Sequence, residues 1–144
     1  MCIAICYSLA ERVVITHFTD RNAKIPLVGQ ANLDHFLPWG RRLEDSGQLP
    51  LGGVLSMDKK QQGLYDQYFP KPVKIQVHKF MEQNIEAHCR WFEIPHGQYL
   101  QGLLLRDGQE QRIYVVTFTP DKPHLPFQRW PLIISAVQPS DNAL

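Results

Sequence analysis

Long apolar runs, a basic leader and a marked excess of either charge are all missing from this chain of 144 residues. No apolar run approaches the roughly 18 residues that a membrane-spanning helix needs, and the N-terminal segment lacks the basic region of a secretory signal. The formal net charge is +1, from 15 basic and 14 acidic side chains, which excludes a broad basic surface of the histone kind. We therefore expect a cytoplasmic protein without a membrane partner, whose phosphate contacts would come from local clusters.

Cysteine is scarce as well. The three cysteines are Cys2, Cys6 and Cys89, and an odd number without an export signal indicates free thiols in a reducing compartment. A small metal site formed by these cysteines with His88 and His96 is a weak alternative, because their spacings match no recognised zinc motif. The sequence therefore predicts no cofactor.

Apolar residues make up 44% and charged residues 20% of the chain, which is typical of a globular domain. Without repeats or a linker, residues 1–144 are expected to form one domain. Short runs rich in Ile, Val and aromatic residues predict strands, at residues 2–7, 12–18, 25–28, 35–39, 73–78, 89–94 and 131–137. A hairpin is predicted from residues 98–106 and 112–119 around Asp107-Gly108, and helix only at 58–69 and, as one or two turns, at 81–88. The predicted fold class is a β-rich α+β domain, a mixed sheet or barrel with short helices.

Cys2 is the most informative residue for chemistry. Removal of Met1, which aminopeptidases perform when the second residue is small, would give Cys2 a free α-amine with pKa near about 8 beside a thiol near about 8.5. An amine and a thiol on adjacent carbons suit aldehydes: the amine forms an imine, and the tethered thiol closes a thiazolidine ring. The alternative is that Cys2 is a small, inert residue that begins a buried strand.

Other candidate residues lie near strands. Glu93 follows two aromatic residues and could act as an acid or base if an apolar pocket raised its pKa. Alternation over residues 73–78 places Gln76 and His78 on one face. A surface for single-stranded DNA could combine tryptophans that stack on bases with arginines that contact phosphates. The candidate residues are Trp39, Trp130, Arg41, Arg42 and Arg129. The alternative for each tryptophan is core packing.

Taken in order, Met1-Cys2, Trp39-Gly40, Trp91-Phe92-Glu93 and Arg129-Trp130-Pro131 resemble the SOS response-associated peptidase (SRAP) family. The resemblance implies a β-rich SRAP-like fold and a DNA-damage protein that covalently traps abasic sites in single-stranded DNA. Cys2 would be the attacking residue and Glu93 the acid/base group, and members are thought to remove Met1 autocatalytically.

Several positions depart from the family pattern, among them Ile3-Ala4 in place of Gly-Arg and Arg90 in place of a glycine. Gln76 and His78 stand where members have Asn and Arg, and Phe127 stands where they have a catalytic His. His124, three residues earlier, is the candidate replacement. The chain is also shorter than typical members. The alternative function is therefore a catalytically degenerate, phage-derived binding module without covalent chemistry, and the oligomeric state is left open.

Overall fold

The computed structural model describes residues 2–120 and 129–135. Strands dominate the described residues. They are β1 (Cys2–Leu9), β2 (Arg12–His17), β3 (Lys24–Ile25), β4 (Leu37–Pro38), β5 (Val54–Ser56), β6 (Lys71–Ile75), β7 (Lys79–Gln83), β8 (Cys89–Glu93), β9 (Gln98–Asp107), β10 (Glu110–Phe118), β11 (Trp130–Pro131) and β12 (Ile133–Ser135). One short α-helix, α1 (Met57–Gln61), and two single-turn 3₁₀ helices, Leu33–His35 and Asp66–Tyr68, complete the described elements.

The first sheet has the order β2-β1-β7-β8, and all its pairs are antiparallel. Opposed residues in such a sheet point to the same face. Its inner face, which includes Ile5 and Phe80, belongs to the main hydrophobic core. Its outer face carries Cys6, Ile15 and Lys79, which line a shallow pocket.

The second sheet has the order β11-β10-β9-β12, with β5 added parallel to β10 and β6 added antiparallel to β9. The predicted hairpin is confirmed: β9 and β10 pair around a two-residue turn between Asp107 and Glu110. β6 belongs to this sheet and β7 to the first one, so residues 76–78 carry the chain from one sheet to the other.

Two apolar clusters cover the two faces of the second sheet. The main core joins it to the first sheet through residues such as Tyr7, Leu100 and Val115. The smaller cluster lies on the opposite face, where Leu55, Leu103 and Tyr114 are packed beneath the residues around α1. The first sheet is thus covered on its inner face, and the candidate chemistry of β1 faces the main core.

Of the two helix predictions, the one at 58–69 is right only in part and the one at 81–88 is wrong. Residues 58–69 do not form one helix: α1 ends at Gln61, because Gly63 adopts a φ of +78° that an α-helix does not allow. The Ser56 hydroxyl caps its start by accepting from the Lys59 N–H. Residues 81–88 are not helical either, since β7 is held between β1 and β8 by strand pairing on both sides.

The coarse fold class is confirmed as β-rich α+β with mixed strand pairing and little helix. Within residues 2–120 and 129–135 the strands form separate sheets and do not close into the barrel that was the other possibility. Over the same residues, none of the helices has the length and apolar character required to cross a membrane. The predicted strand at 131–137 is seen as β11 and β12, and residues 136–137 lie outside the described residues.

Candidate active site

Cys2 lies directly opposite Glu82 in the pairing of β1 with β7. Directly opposed Cα atoms in antiparallel strands are about 4.5–5.5 Å apart, and their side chains share a face. Here that is the inner face, because Cys2 belongs to the main core and Glu82 lies two residues beyond the core residue Phe80. A thiol and a carboxylate therefore meet inside the protein.

Both side chains are almost removed from solvent. The exposed fraction is 2% for Cys2 and 0% for Glu82. Burial raises the pKa of the Glu82 carboxyl above its ordinary value. It also raises the pKa of the Cys2 thiol, and the neighbouring charge of Glu82 adds to that effect. The thiol is thus held protonated, with its sulfur 3.9 Å from the Ala4 carbonyl oxygen that accepts its weak hydrogen bond.

The structure does not bring Glu93 to Cys2. Glu93 is exposed and lies opposite Lys79, which in turn lies opposite Cys6. Cys6 and Cys2 lie opposite Lys79 and Glu82, which are three residues apart on β7, a distance of roughly 10 Å at the usual rise of a strand. Glu93 also lines the outer-face pocket, so the sheet itself separates it from the Cys2 thiol. Cys2 and Glu93 therefore lie on opposite faces of the sheet, and the prediction that Glu93 is the acid/base partner of Cys2 is wrong.

Gln76 and His78 alternate with buried neighbours as the sequence predicted, and both are exposed. His78 lines the outer-face pocket of about 460 Å³ together with Glu93 and His96. Its Nε2 atom lies 2.6 Å from the Ser8 hydroxyl oxygen. His78 thus accompanies Glu93 on the outer face, away from the Cys2–Glu82 pair.

The two tryptophans expected to stack on bases have different positions. Trp39 is 0% exposed, and its indole Nε1–H donates to the Gly53 carbonyl at 3.0 Å. The alternative reading, core packing, is therefore right for Trp39. Trp130 is partly buried and packs edge-on against Phe80 and Phe92, with ring centroids 5.4 and 4.8 Å away.

The three arginines predicted to contact DNA form hydrogen bonds within the protein. Arg41 Nε donates to the Leu49 carbonyl at 2.7 Å, and the buried Arg42 pairs through Nε with Asp45 at 3.1 Å. Arg129 Nε donates to the Thr117 hydroxyl at 2.8 Å. These guanidinium groups hold loops and strand ends, and Trp39 is too deeply buried to stack on a base as predicted.

His124 and Phe127 lie outside the described residues, as does Met1. Within residues 2–120 and 129–135, no three His, Cys, Asp or Glu side chains are grouped closely enough to bind a metal ion.

Glu82 was missed by the sequence analysis. The segment Phe80-Met81-Glu82 has the same order of aromatic, apolar and acidic residues as Trp91-Phe92-Glu93, and either could match an aromatic–x–Glu pattern. The helical prediction for residues 81–88 concealed the first segment. The alternation of Phe80 and Glu82 with their neighbours over Lys79–Gln83, which is the period of a strand, was the signal that could have identified Glu82.

Comparison with protein-family models, with curated proteins and with solved structures gave no significant match to this chain.

Proposed function

We propose that this protein, once Met1 is removed, captures aldehydes covalently through the amine and thiol of Cys2, and that its substrate is the ring-opened abasic site of single-stranded DNA. The observation that supports the proposal most strongly is the strand pairing of Cys2 with the buried Glu82. The residue that acts as acid and base in this proposal is Glu82, in place of Glu93.

The reaction has a simple proton balance. The neutral Cys2 amine adds to the aldehyde carbon, and the resulting carbinolamine loses water to form an imine. The Cys2 sulfur then adds to the imine carbon while the thiol proton is transferred to the nitrogen, which closes a thiazolidine ring. One water is released overall, and no oxidant or reductant is consumed.

Glu82 is suited to both proton transfers. In its ionised form it accepts a proton from the attacking amine or from the thiol, and in its protonated form it donates a proton to the departing hydroxyl. A carboxyl whose pKa is raised by burial exchanges protons closer to neutral pH than an exposed one. The tethered thiol supplies the second step at high effective concentration.

The first test is denaturing electrophoresis of a labelled abasic oligonucleotide incubated with the untagged protein. Intact-mass spectrometry of the same preparation should show the loss of Met1. We expect a shifted band with the wild type, none with Cys2→Ala, and a rate lowered by roughly 10²-fold or more in Glu82→Gln, the usual size of a lost general acid or base.

Glu93→Gln is the matched control, because it makes the same chemical change on the outer face. We expect its capture rate to equal that of the wild type. A folded wild-type protein that lacks Met1 and forms no band over many hours would instead support the non-catalytic binding module. Equal losses in Glu82→Gln and Glu93→Gln would contradict the role given to Glu82.

A further inference from the structure

A row of three residues crosses the first sheet at the candidate site. Cys2 is opposite Glu82, and Glu82 is opposite Arg90 on β8. Directly opposed residues share a face, so the three side chains leave the sheet on its inner side. The row runs from the buried Cys2 and Glu82 to the exposed Arg90.

Arg90 is supported by an aromatic cluster. Its guanidinium carbon lies 5.3 Å from the centroid of the Phe92 ring. Phe92 is stacked on Phe80 at 5.8 Å and touches Trp130 edge-on at 4.8 Å. A cation over an aromatic ring is held in place without being neutralised. The aromatic cluster therefore fixes the Arg90 side chain and leaves its positive charge at the surface.

Arg90 differs from several other arginines near the core, which form ion pairs or hydrogen bonds within the protein. Arg42 and Arg112 form ion pairs with Asp45 or Glu110, and Arg129 donates to Thr117. In the part of the chain that the structure describes, none of the ion pairs includes Arg90. Its guanidinium thus keeps N–H groups for a ligand, and the paired donors of a guanidinium match the oxygens of a phosphate.

From this row we infer that Arg90 binds the phosphate next to the aldehyde-bearing sugar, so that the site selects an aldehyde within a phosphodiester chain over a free aldehyde. The inference rests on the proposed function of Cys2 and Glu82. Adjacent strands are about 4.8 Å apart, which puts the Arg90 Cα roughly 10 Å from the Cys2 Cα. An arginine side chain and one nucleotide span that separation.

The experiment compares two substrates. One is an abasic single-stranded oligonucleotide, and the other is glycolaldehyde, which carries no phosphate. Capture rates are measured at low and high salt, by electrophoresis for the oligonucleotide and by intact mass for glycolaldehyde. The proteins are the wild type, Arg90→Gln, Arg90→Lys and Arg12→Gln. Arg12 is exposed on the edge strand β2 and gives the same change of charge away from the row.

We expect Arg90→Gln to lower the oligonucleotide rate about tenfold at low salt, with a smaller loss at high salt because exposed charges are screened there. Arg90→Lys should recover part of the rate, since it restores the charge without the planar pair of donors. The glycolaldehyde rate should be unchanged in all three variants, and Arg12→Gln should match the wild type on both substrates.

Two results would overturn the role of Arg90 and leave the proposed function intact: equal oligonucleotide rates for the wild type and Arg90→Gln, or equal losses on both substrates in Arg90→Gln. A wild type that captures neither substrate would overturn the proposed function, and the role of Arg90 with it. Circular dichroism of each variant confirms that the comparison is made between folded proteins.

Discussion

At the scale of single residues, the burial of Glu82 has a measurable effect on stability. In the unfolded chain its carboxyl titrates near the ordinary value of 4.5, and in the folded protein burial raises the pKa above that value. Below the unfolded pKa the carboxyl is neutral in both states. As the pH rises through the folded pKa, an ionised carboxylate must be kept in the core, and folding stability is lost.

We therefore predict that Glu82→Gln is more stable than the wild type at pH 7, and that this advantage shrinks as the pH falls toward 4.5. Urea denaturation at a series of pH values measures the difference in free energy of unfolding. Asp45 and Glu110, whose carboxyl pKa values are lowered, lose their stabilising contribution in acid, but they do so equally in both proteins. A constant difference across the series, or a less stable variant at pH 7, would contradict the prediction.

The local pattern correctly predicted a strand that begins at Cys2, but residue identity alone could not place the other members of a site. Trp39 and Arg42 have the residue types of a nucleic-acid surface. Their actual partners are the Gly53 carbonyl and the Phe18 carbonyl, which are 14 and 24 residues away along the chain. Such contacts depend on how distant loops come together, and no local pattern encodes them.

At the scale of secondary-structure elements, the contact between β6 and β9 depends on a glycine. A Cβ atom at Gly102 would lie 2.8 Å from Ile75 Cδ1 and 2.9 Å from Val73 Cγ2. We predict that Gly102→Ala lowers the free energy of unfolding by about 1–3 kcal/mol, the usual effect of overpacking a core. Thermal or urea denaturation measures the loss.

Ile75→Val provides the control, because it removes the Cδ1 atom that is nearest to the added methyl group. The single variant should cost about 0.5–1.5 kcal/mol, and the double variant Gly102→Ala/Ile75→Val should be more stable than the sum of the two losses predicts. Simple additivity would show that the steric conflict is relieved elsewhere.

Elements with a regular local sequence pattern were predicted well. Elements whose conformation depends on pairing with other strands were not. The alternation in residues 73–78 and the turn at Asp107-Gly108 are local signals, and both appear in the structure. β7 has mixed polarity and ends in a polar turn, so its sequence alone also allowed a helix. Its extended form comes from pairing with β1 and β8, and the position of Glu82 followed from that pairing.

At the scale of the whole molecule, the balance of charges limits the long-range attraction between the protein and the DNA substrate that we propose. Basic and acidic side chains nearly cancel, at 15 and 14, so there is little long-range attraction. Arg41, Arg42 and Arg129 form hydrogen bonds within the protein. In the proposed function, binding before the covalent step would therefore depend on a small local contact, of which Arg90 is the proposed centre.

We predict that non-covalent binding of single-stranded DNA is weak and has a shallow dependence on salt. Each neutralised phosphate of a single strand contributes a slope of about −0.7 to a plot of log K against log salt concentration. With one or two phosphate contacts, the slope should be about −0.7 to −1.4. Fluorescence anisotropy with an undamaged oligonucleotide and Cys2→Ala, which cannot form the covalent product, measures the slope directly.

Adding Arg90→Gln to Cys2→Ala should reduce the magnitude of the slope by about 0.7, whereas adding Arg12→Gln should not change it. A slope steeper than about −3 would require four or more phosphate contacts; if Arg90→Gln then left it unchanged, DNA would have to bind a basic surface away from the Cys2–Glu82 pair.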